Sequence, residues 1–189
     1  MAVLDLSRNA IDTARLALRP LREDDDARIF ALFANWGVMR FLSSPPWPYT
    51  LEDARAFVRL RIAENSDTIE RAITLRGEFI GLIGAIIKPA SAVQREHGYN
   101  VGYWLGQPYW GQGHMSEAAR GFIAHLFAVI PDDKIYSGAF TDNAASLRIQ
   151  EKLGFRHDGD APLFSNPHGK EMPHIGTVLT RATFRRLPA

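Results

Sequence analysis

Residues 101–119, VGYWLGQPYWGQGHMSEAA, decide how this chain is read. Val101 to Gly106 is an apolar, aromatic-rich run of the kind that forms a strand. It passes into a loop holding Gly106, Pro108, Gly111 and Gly113. A helical pattern starts at once, with Met115, Ala119, Phe122, Leu126 and Ile130 on one face and Pro131 as the stop. Glycines let such a loop turn tightly and leave its amide N–H groups uncovered. The first N–H groups of a helix lack internal partners and sit at the positive end of its dipole. The turn therefore suits a phosphate or pyrophosphate. A turn serving chain reversal alone fits the glycine spacing equally well.

Two better-known phosphate signatures do not fit. A P-loop ends in Gly-Lys-Ser/Thr, which the chain lacks. A dinucleotide fingerprint needs a third glycine where Ser116 stands, and it opens a βαβ unit.

Outward from the turn, Ile69–Leu75 and Phe79–Ile87 are β-rich runs joined through Arg76, Gly77 and Glu78, a hairpin pattern. Upstream, Arg15–Arg19 alternates polar and apolar residues, and Pro20 ends it. Asp24–Asp26 then open a helix expected to reach about Asn35. Ser43–Thr50, with three prolines, is expected as a loop. Thr50 and Asp53 form a capping-box pattern for a second helix that buries Ala54, Val58 and Ile62. Downstream, Ile135–Phe140 reads as a strand, Asn143–Leu153 as a short helix and Ile175–Thr180 as a late strand. Asp158–Pro173, rich in Pro, Gly and His, is expected to line the mouth of a site. The order βααβββαβαβ implies a mixed α/β (α+β) fold with a largely antiparallel sheet flanked by helices. Residues 1–14 read as an N-terminal extension and 15–185 as a single domain.

The totals exclude several classes. With 189 residues, 46% hydrophobic and 23% charged, the chain is an ordinary globular one. Its net charge of +1 speaks against a nucleic-acid binder. No cysteine is present, which removes disulfides, thiolate metal sites and a cysteine nucleophile. No signal-like segment and no apolar run near the ~20 residues of a membrane span are found, so no membrane partner and a cytoplasmic location are expected. His157, His168 and His174 show no zinc spacing, so no metal is expected.

A second motif, NAASLRIQEKLGF at 143–155, has a structural account of its own. Asn143 is a good N-cap, Gly154 suits the left-handed residue after a helix, and Phe155 can pack back on Ile149.

Together the two motifs closely resemble the GNAT superfamily of acetyltransferases, and most of all its branch acting on N-termini of ribosomal proteins. That branch carries Gly-Tyr-Trp at a strand end, here Gly102-Tyr103-Trp104, then Tyr-Trp-Gly-x-Gly, here Tyr109-Trp110-Gly111-Gln112-Gly113. Its Asn-x-x-Ser and Glu-Lys-x-Gly-Phe elements match Asn143–Ser146 and Glu151–Phe155. The resemblance runs from about Arg15 to Thr180. It implies a GNAT fold, acetyl-CoA as cosubstrate, and transfer of acetyl to an amine acceptor by direct attack in a ternary complex. It also implies that the amides of Gln112, Gly113, His114, Met115 and Ser116 bind the pyrophosphate. The main chain of Tyr103, Trp104 and Leu105 would run beside the pantetheine, with Asn143 touching the coenzyme. Trp110 and Met115 depart from the superfamily pattern, which has Gln/Arg and Gly/Ala there.

Acetyl transfer needs deprotonation of the amine, polarisation of the thioester carbonyl and protonation of the departing thiolate. The Tyr that many members place on the second-motif helix is Gln150 here, so Ser146 becomes the candidate acid. The Glu that many relatives carry just before Gly-Tyr-Trp is replaced by Asn100 or Val101, leaving Glu96 and His97 as candidate bases. Trp36, Phe41, Trp47 and Tyr49 would cover the sheet or wall the acceptor groove. A non-catalytic acyl-CoA-binding module is the alternative reading, and a nucleotide-binding α/β protein ranks third. Pairing through the C-terminal half would give a homodimer.

Overall fold

The computed structural model describes residues 10–63 and 68–184. One mixed sheet of eight strands organises them: β1 Ile11–Asp12, β2 Leu16–Arg19, β3 Thr68–Leu75, β4 Glu78–Lys88, β5 Gly98–Leu105, β6 Lys134–Phe140, β7 Arg156–Ser165 and β8 Lys170–Thr180. Their order in the sheet is β1-β2-β3-β4-β5-β6-β8-β7, and every pairing is antiparallel except β5 with β6. The helices are α1 Asp26–Phe33, α2 Trp36–Met39, α3 Leu51–Ile62, α4 His114–Val129 and α5 Ala144–Leu153. The expected mixed, mostly antiparallel class is the observed one.

Strand alternation divides the core in two. On one face Ile69, Ile83, Val101 and Leu105 pack against Ala119, Phe122, Ile123 and Leu126 of α4. On the other, Ala72, Leu82 and Trp104 pack against Ile29, Phe33 and Val58 of α1 and α3. The β3–β4 turn uses Arg76 at φ 52 and Gly77 at φ 84, the doubly left-handed pair of a tight hairpin. Thr50 and Asp53 close a reciprocal capping box on α3, as their spacing predicts.

Three differences from the sequence reading have local causes. The first helix stops at Phe33 because the Asn35 carboxamide accepts from the Gly37 amide at 2.8 Å, starting the separate turn α2. The segment 158–173, given no strand or helix in the expected order, lies mostly in the long hairpin β7–β8. Its prolines, Pro162 and Pro173, face one another at register positions without a second strand neighbour, where no ladder donor is required. Ile11–Asp12, expected within an extension, pairs with β2 as an edge strand, while residues 1–9 lie outside the described residues.

Between β5 and β6 the sheet comes apart. The two strands share a single parallel bridge, Asn100 with Tyr136, and then diverge. The gap is closed off at one end by the β4–β5 loop, which lies over the glycine pair Gly159 and Gly176 of β7 and β8. No described helix is long and apolar enough to cross a membrane.

A Cβ at Gly176 would run into the Val93 carbonyl oxygen. Gly176→Ala is therefore expected to cost about 1–3 kcal/mol through overpacking, read as a melting-point drop of roughly 2–12 °C. Gly77→Ala, whose added methyl meets nothing within 4 Å, serves as the comparison; it carries only the strain of its φ of 84. Equal melting points for Gly176→Ala and the parent chain would contradict the tight seating of this loop.

Candidate functional site

The divergence of β5 and β6 opens a cleft of about 860 Å³ that continues between the N-termini of α4 and α5. The β5 main chain forms one wall. Ser137 Oγ donates to the Val101 carbonyl at 2.9 Å and the Trp110 indole to the Leu105 carbonyl at 2.8 Å, so odd-numbered residues of β5 turn their main chain towards the gap. Gly106 N–H bonds Ile80 on the opposite side, as alternation requires. The N–H and C=O of Tyr103 and the N–H of Leu105 thus face the cleft with no strand opposite them.

At the cleft's end the chain turns through Gly111 at φ 74 and Gly113 at φ 79, left-handed values that tolerate glycine best. Gly113 caps α4, and Gly113, His114, Met115 and Ser116 all line the cleft. His114 is 4% exposed, and its Nδ1 is buried with no hydrogen-bond partner. Gln112 lies just outside: its side chain donates to the Pro108 carbonyl, and its own carbonyl accepts from Arg15 at 3.1 Å. Arg15 in turn holds Glu117 of α4 at 2.7 Å, while Thr13 donates to the same carboxylate at 2.6 Å. Burial would raise Glu117, but the hydrogen bonds from Thr13 and Arg15 outweigh it and hold the carboxyl below its ordinary value. The N-terminal segment thereby fixes the glycine turn.

The opposite wall comes from α5. Asn143 caps that helix by accepting from the Ser146 amide at 3.2 Å, and both residues line the cleft. Ser146 Oγ lies 3.0 Å from the Tyr103 hydroxyl and accepts from Gln150 Nε2 at 3.1 Å. Gln150 is anchored by Thr177 Oγ1 at 2.7 Å and donates to Gly138 O at 3.3 Å. Burial pushes the Tyr103 phenol up, against smaller downward pulls from Ser146 and Gln150, so it keeps its proton near neutrality. The sequence reading used only the main chain of Tyr103; the phenol reaching a serine 43 positions away is a tertiary contact no local pattern shows.

Of the expected bases, neither lines the cleft. Glu96 is bound by Lys134 at 2.7 and 2.8 Å and by the Tyr136 hydroxyl at 3.2 Å. The Lys134 hydrogen bond is the main cause that lowers its carboxyl, making it a weaker base. His97 is exposed on the strand's approach. His174 does line the cleft, but burial and then Lys88 push it down to about 4. His168 meets Trp36 edge-on and contacts the Arg40 carbonyl. His157 pairs with Asp160 at 2.9 Å. No cluster of three metal-capable side chains occurs among the described residues.

A second chamber, about 430 Å³, opens on the other face of β5 under α1 and α3. It shares Lys88, Asn100, Gly102, Tyr103 and Trp104 with the cleft, so the two meet at the same strand. Two compartments meeting across a strand with free main-chain groups can bring together a phosphate-tailed donor and a separate acceptor.

Residues 15–156 match the family model described as an acetyltransferase (GNAT) domain. The chain belongs to the GNAT acetyltransferase family. YoaA of Bacillus subtilis, described as an uncharacterized N-acetyltransferase, is 29% identical over 79% of this chain and 84% of its own. RimJ of Mycobacterium smegmatis, solved with a coenzyme A disulfide, shares the fold at TM-score 0.79 and 19% identity, covering 94% of this chain and 90% of its own. RimL, a ribosomal L7/L12 α-N-protein acetyltransferase solved with coenzyme A, does so at 0.74 and 18%, covering 91% and 98%. The protein is thus an acetyltransferase by family, with the fold that the resemblance of its two motifs implied.

Glu117 offers a test of how the turn is held. Its lowered pKa means its stabilising contribution is present above the ordinary carboxyl value and is lost as pH falls through the folded value. Glu117→Gln should melt lower than the parent at pH 7, and the gap should narrow between about pH 5 and about pH 3. A gap that widens on acidification would contradict the network.

Proposed function

We propose that this protein transfers acetyl from acetyl-CoA to a primary amine, by direct attack while both are bound. The single observation that carries this reading is the cleft itself: unpaired β5 main chain leading to an α4 N-terminus built on Gly111 and Gly113. A pyrophosphate suits that terminus because four helix amides there lack internal partners and the dipole contributes roughly half a positive charge. The buried, unpartnered Nδ1 of His114 beside those amides is a further polar group without a protein partner. The extended pantetheine arm suits the β5 wall, whose Tyr103 amide and carbonyl can pair with its amides. Bound acetyl-CoA would supply an activated acyl group.

The chain's own task is to position and to move protons. Tyr103, Ser146 and Gln150 form a connected chain at the mouth of the gap, with Tyr103 and Ser146 facing it. We assign the Tyr103–Ser146 pair as the proton source for the departing sulfur, Gln150 holding Ser146 in place. The pair takes over the role that a tyrosine on the second-motif helix fills in many members. The α-amine of a protein or peptide is the favoured acceptor, on the likeness to RimJ and RimL.

Thiol release from acetyl-CoA, measured over peptides beginning with Ala or Ser and over small amines, tests the reaction. Transfer to at least one is expected, and silence across the panel would count against it. Ser146→Ala and Tyr103→Phe should each lower kcat about 10²-fold with coenzyme affinity within about twofold of the parent. Unchanged kcat in both would remove them from proton transfer.

A further inference from the structure

On the α1–α3 face of the sheet stands a carboxylate that neither motif includes. Glu70 is the third residue of β3, its side chain 13% exposed, and its Oε2 is buried with no hydrogen-bond partner. Its neighbour on β4 is Gly84, and the neighbour of Gly84 on β5 is Gly102. A Cβ at Gly84 would stand 2.9 Å from Glu70 Oε2, whereas one at Gly102 would meet nothing within 4 Å. The carboxyl therefore lies over β4, its free oxygen on a lane of two glycines that leads to β5. A side chain at either position would close that lane.

The lane is the floor of the second chamber, whose walls include Phe33, Phe57, Leu82 and Trp104. Charged and titratable groups reach the same space from each packed element. Arg61 of α3 places Nε 3.4 Å from Glu70 Oε1 and Lys88 closes the end of β4, while Tyr103 borders the chamber from β5 with its phenol turned away to Ser146. Tyr49 lies at the loop before α3, and Asp53 is engaged by Thr50 in the helix cap. One carboxylate oxygen without a partner in an apolar chamber attracts an ammonium group. Arg61 and Lys88 at its margins repel a second cation on the same molecule.

We propose that this chamber binds the acceptor as a primary monoamine, its ammonium held by Glu70 Oε2, and that Glu70 takes the ammonium proton before transfer. This deepens the acetyl-transfer reading and rests on it for the position of the acyl group along β5. In the step, one N–H bond breaks, its electron pair stays on nitrogen, and Glu70 becomes a neutral carboxyl. The freed pair then forms the N–C bond as the C–S bond breaks. The nitrogen's next proton leaves for the sulfur side through Tyr103 and Ser146, and Glu70 returns its own to water. Burial pushes Glu70 up to about 7 against the pull of Arg61, which suits proton exchange near neutrality. Polyamines are disfavoured.

The test reads Glu70 directly. Protein carrying ¹³C at glutamate Cδ is titrated with pH, with and without coenzyme A, and the Glu70 signal is identified by its loss in Glu70→Gln. An inflection near about 7 is expected, moved down by about half a pH unit when propylammonium is added to the coenzyme complex. Spermidine at equal ionic strength should move it less. An inflection at the ordinary carboxyl value, no response to propylammonium, or an equal response to spermidine overturns the proposal. Failure to bind coenzyme A, seen separately by calorimetry, would count against acetyl transfer, while the titration without coenzyme still judges Glu70. Kinetically, Glu70→Gln should lose about 10²-fold in kcat/KM for the best amine, and the inflection near neutrality, with coenzyme affinity unchanged.

Discussion

Strands β5 and β6 are parallel neighbours joined by one main-chain bridge, Asn100 with Tyr136, and then part. A sheet interior normally pairs every main-chain donor and acceptor, because a buried unpaired group costs about as much as a lost hydrogen bond. Here the deficit is concentrated along Tyr103 to Leu105, facing a cleft. The divergence is braced at one end by the β4–β5 loop on the Gly159–Gly176 pair and at the other by the indole of Trp110 on the Leu105 carbonyl. What the fold leaves unpaired is what the proposed coenzyme site would use. An extended ligand carrying its own amides can complete the sheet from β5.

A grip made by main chain would tolerate side-chain change. Trp110 and Met115 stand where the superfamily pattern has other residues, yet Gly111 and Gly113 keep the left-handed turn that aims the α4 amides. Side chains matter on the rim instead. Arg15 and Glu117 tie the turn to the N-terminal segment, and Tyr103 with Ser146 ties β5 to α5. The same strand faces two ways, with odd residues towards α4 and α5 and even residues towards α1 and α3. Gly102, an even position without a side chain, leaves the floor of the second chamber open.

The parts legible in the sequence are those governed by local physics. Strand and helix identities around 68–153 follow from periodicity, and Thr50, Asn143 and Gly154 act as caps where their chemistry predicts. Of the hairpin β7–β8 only Ile175–Thr180 was legible; β7 and the start of β8 were not, because prolines, glycines and histidines mark loops unless a tertiary register places them at unpaired positions. The groups proposed to handle protons were not legible either. Ser146 stood out, but its phenolic partner comes from 43 residues upstream. Glu96 and His97 looked near in sequence, yet Lys134 and Tyr136 hold Glu96 at the end where β5 and β6 pair, outside the cleft. Glu70 belongs to no motif, and only the pairing of β3, β4 and β5 brings it to the glycine lane.

The central claim is that coenzyme A is held by main-chain groups in the β5–β6 gap and at the α4 N-terminus. Amide hydrogen exchange with and without saturating coenzyme A reads those groups one by one. Slower exchange is expected at Tyr103, Leu105 and Gly113–Ser116, with the far strands β1 and β2 unchanged. Exchange at those amides indifferent to the coenzyme, or protection appearing only elsewhere, would contradict it.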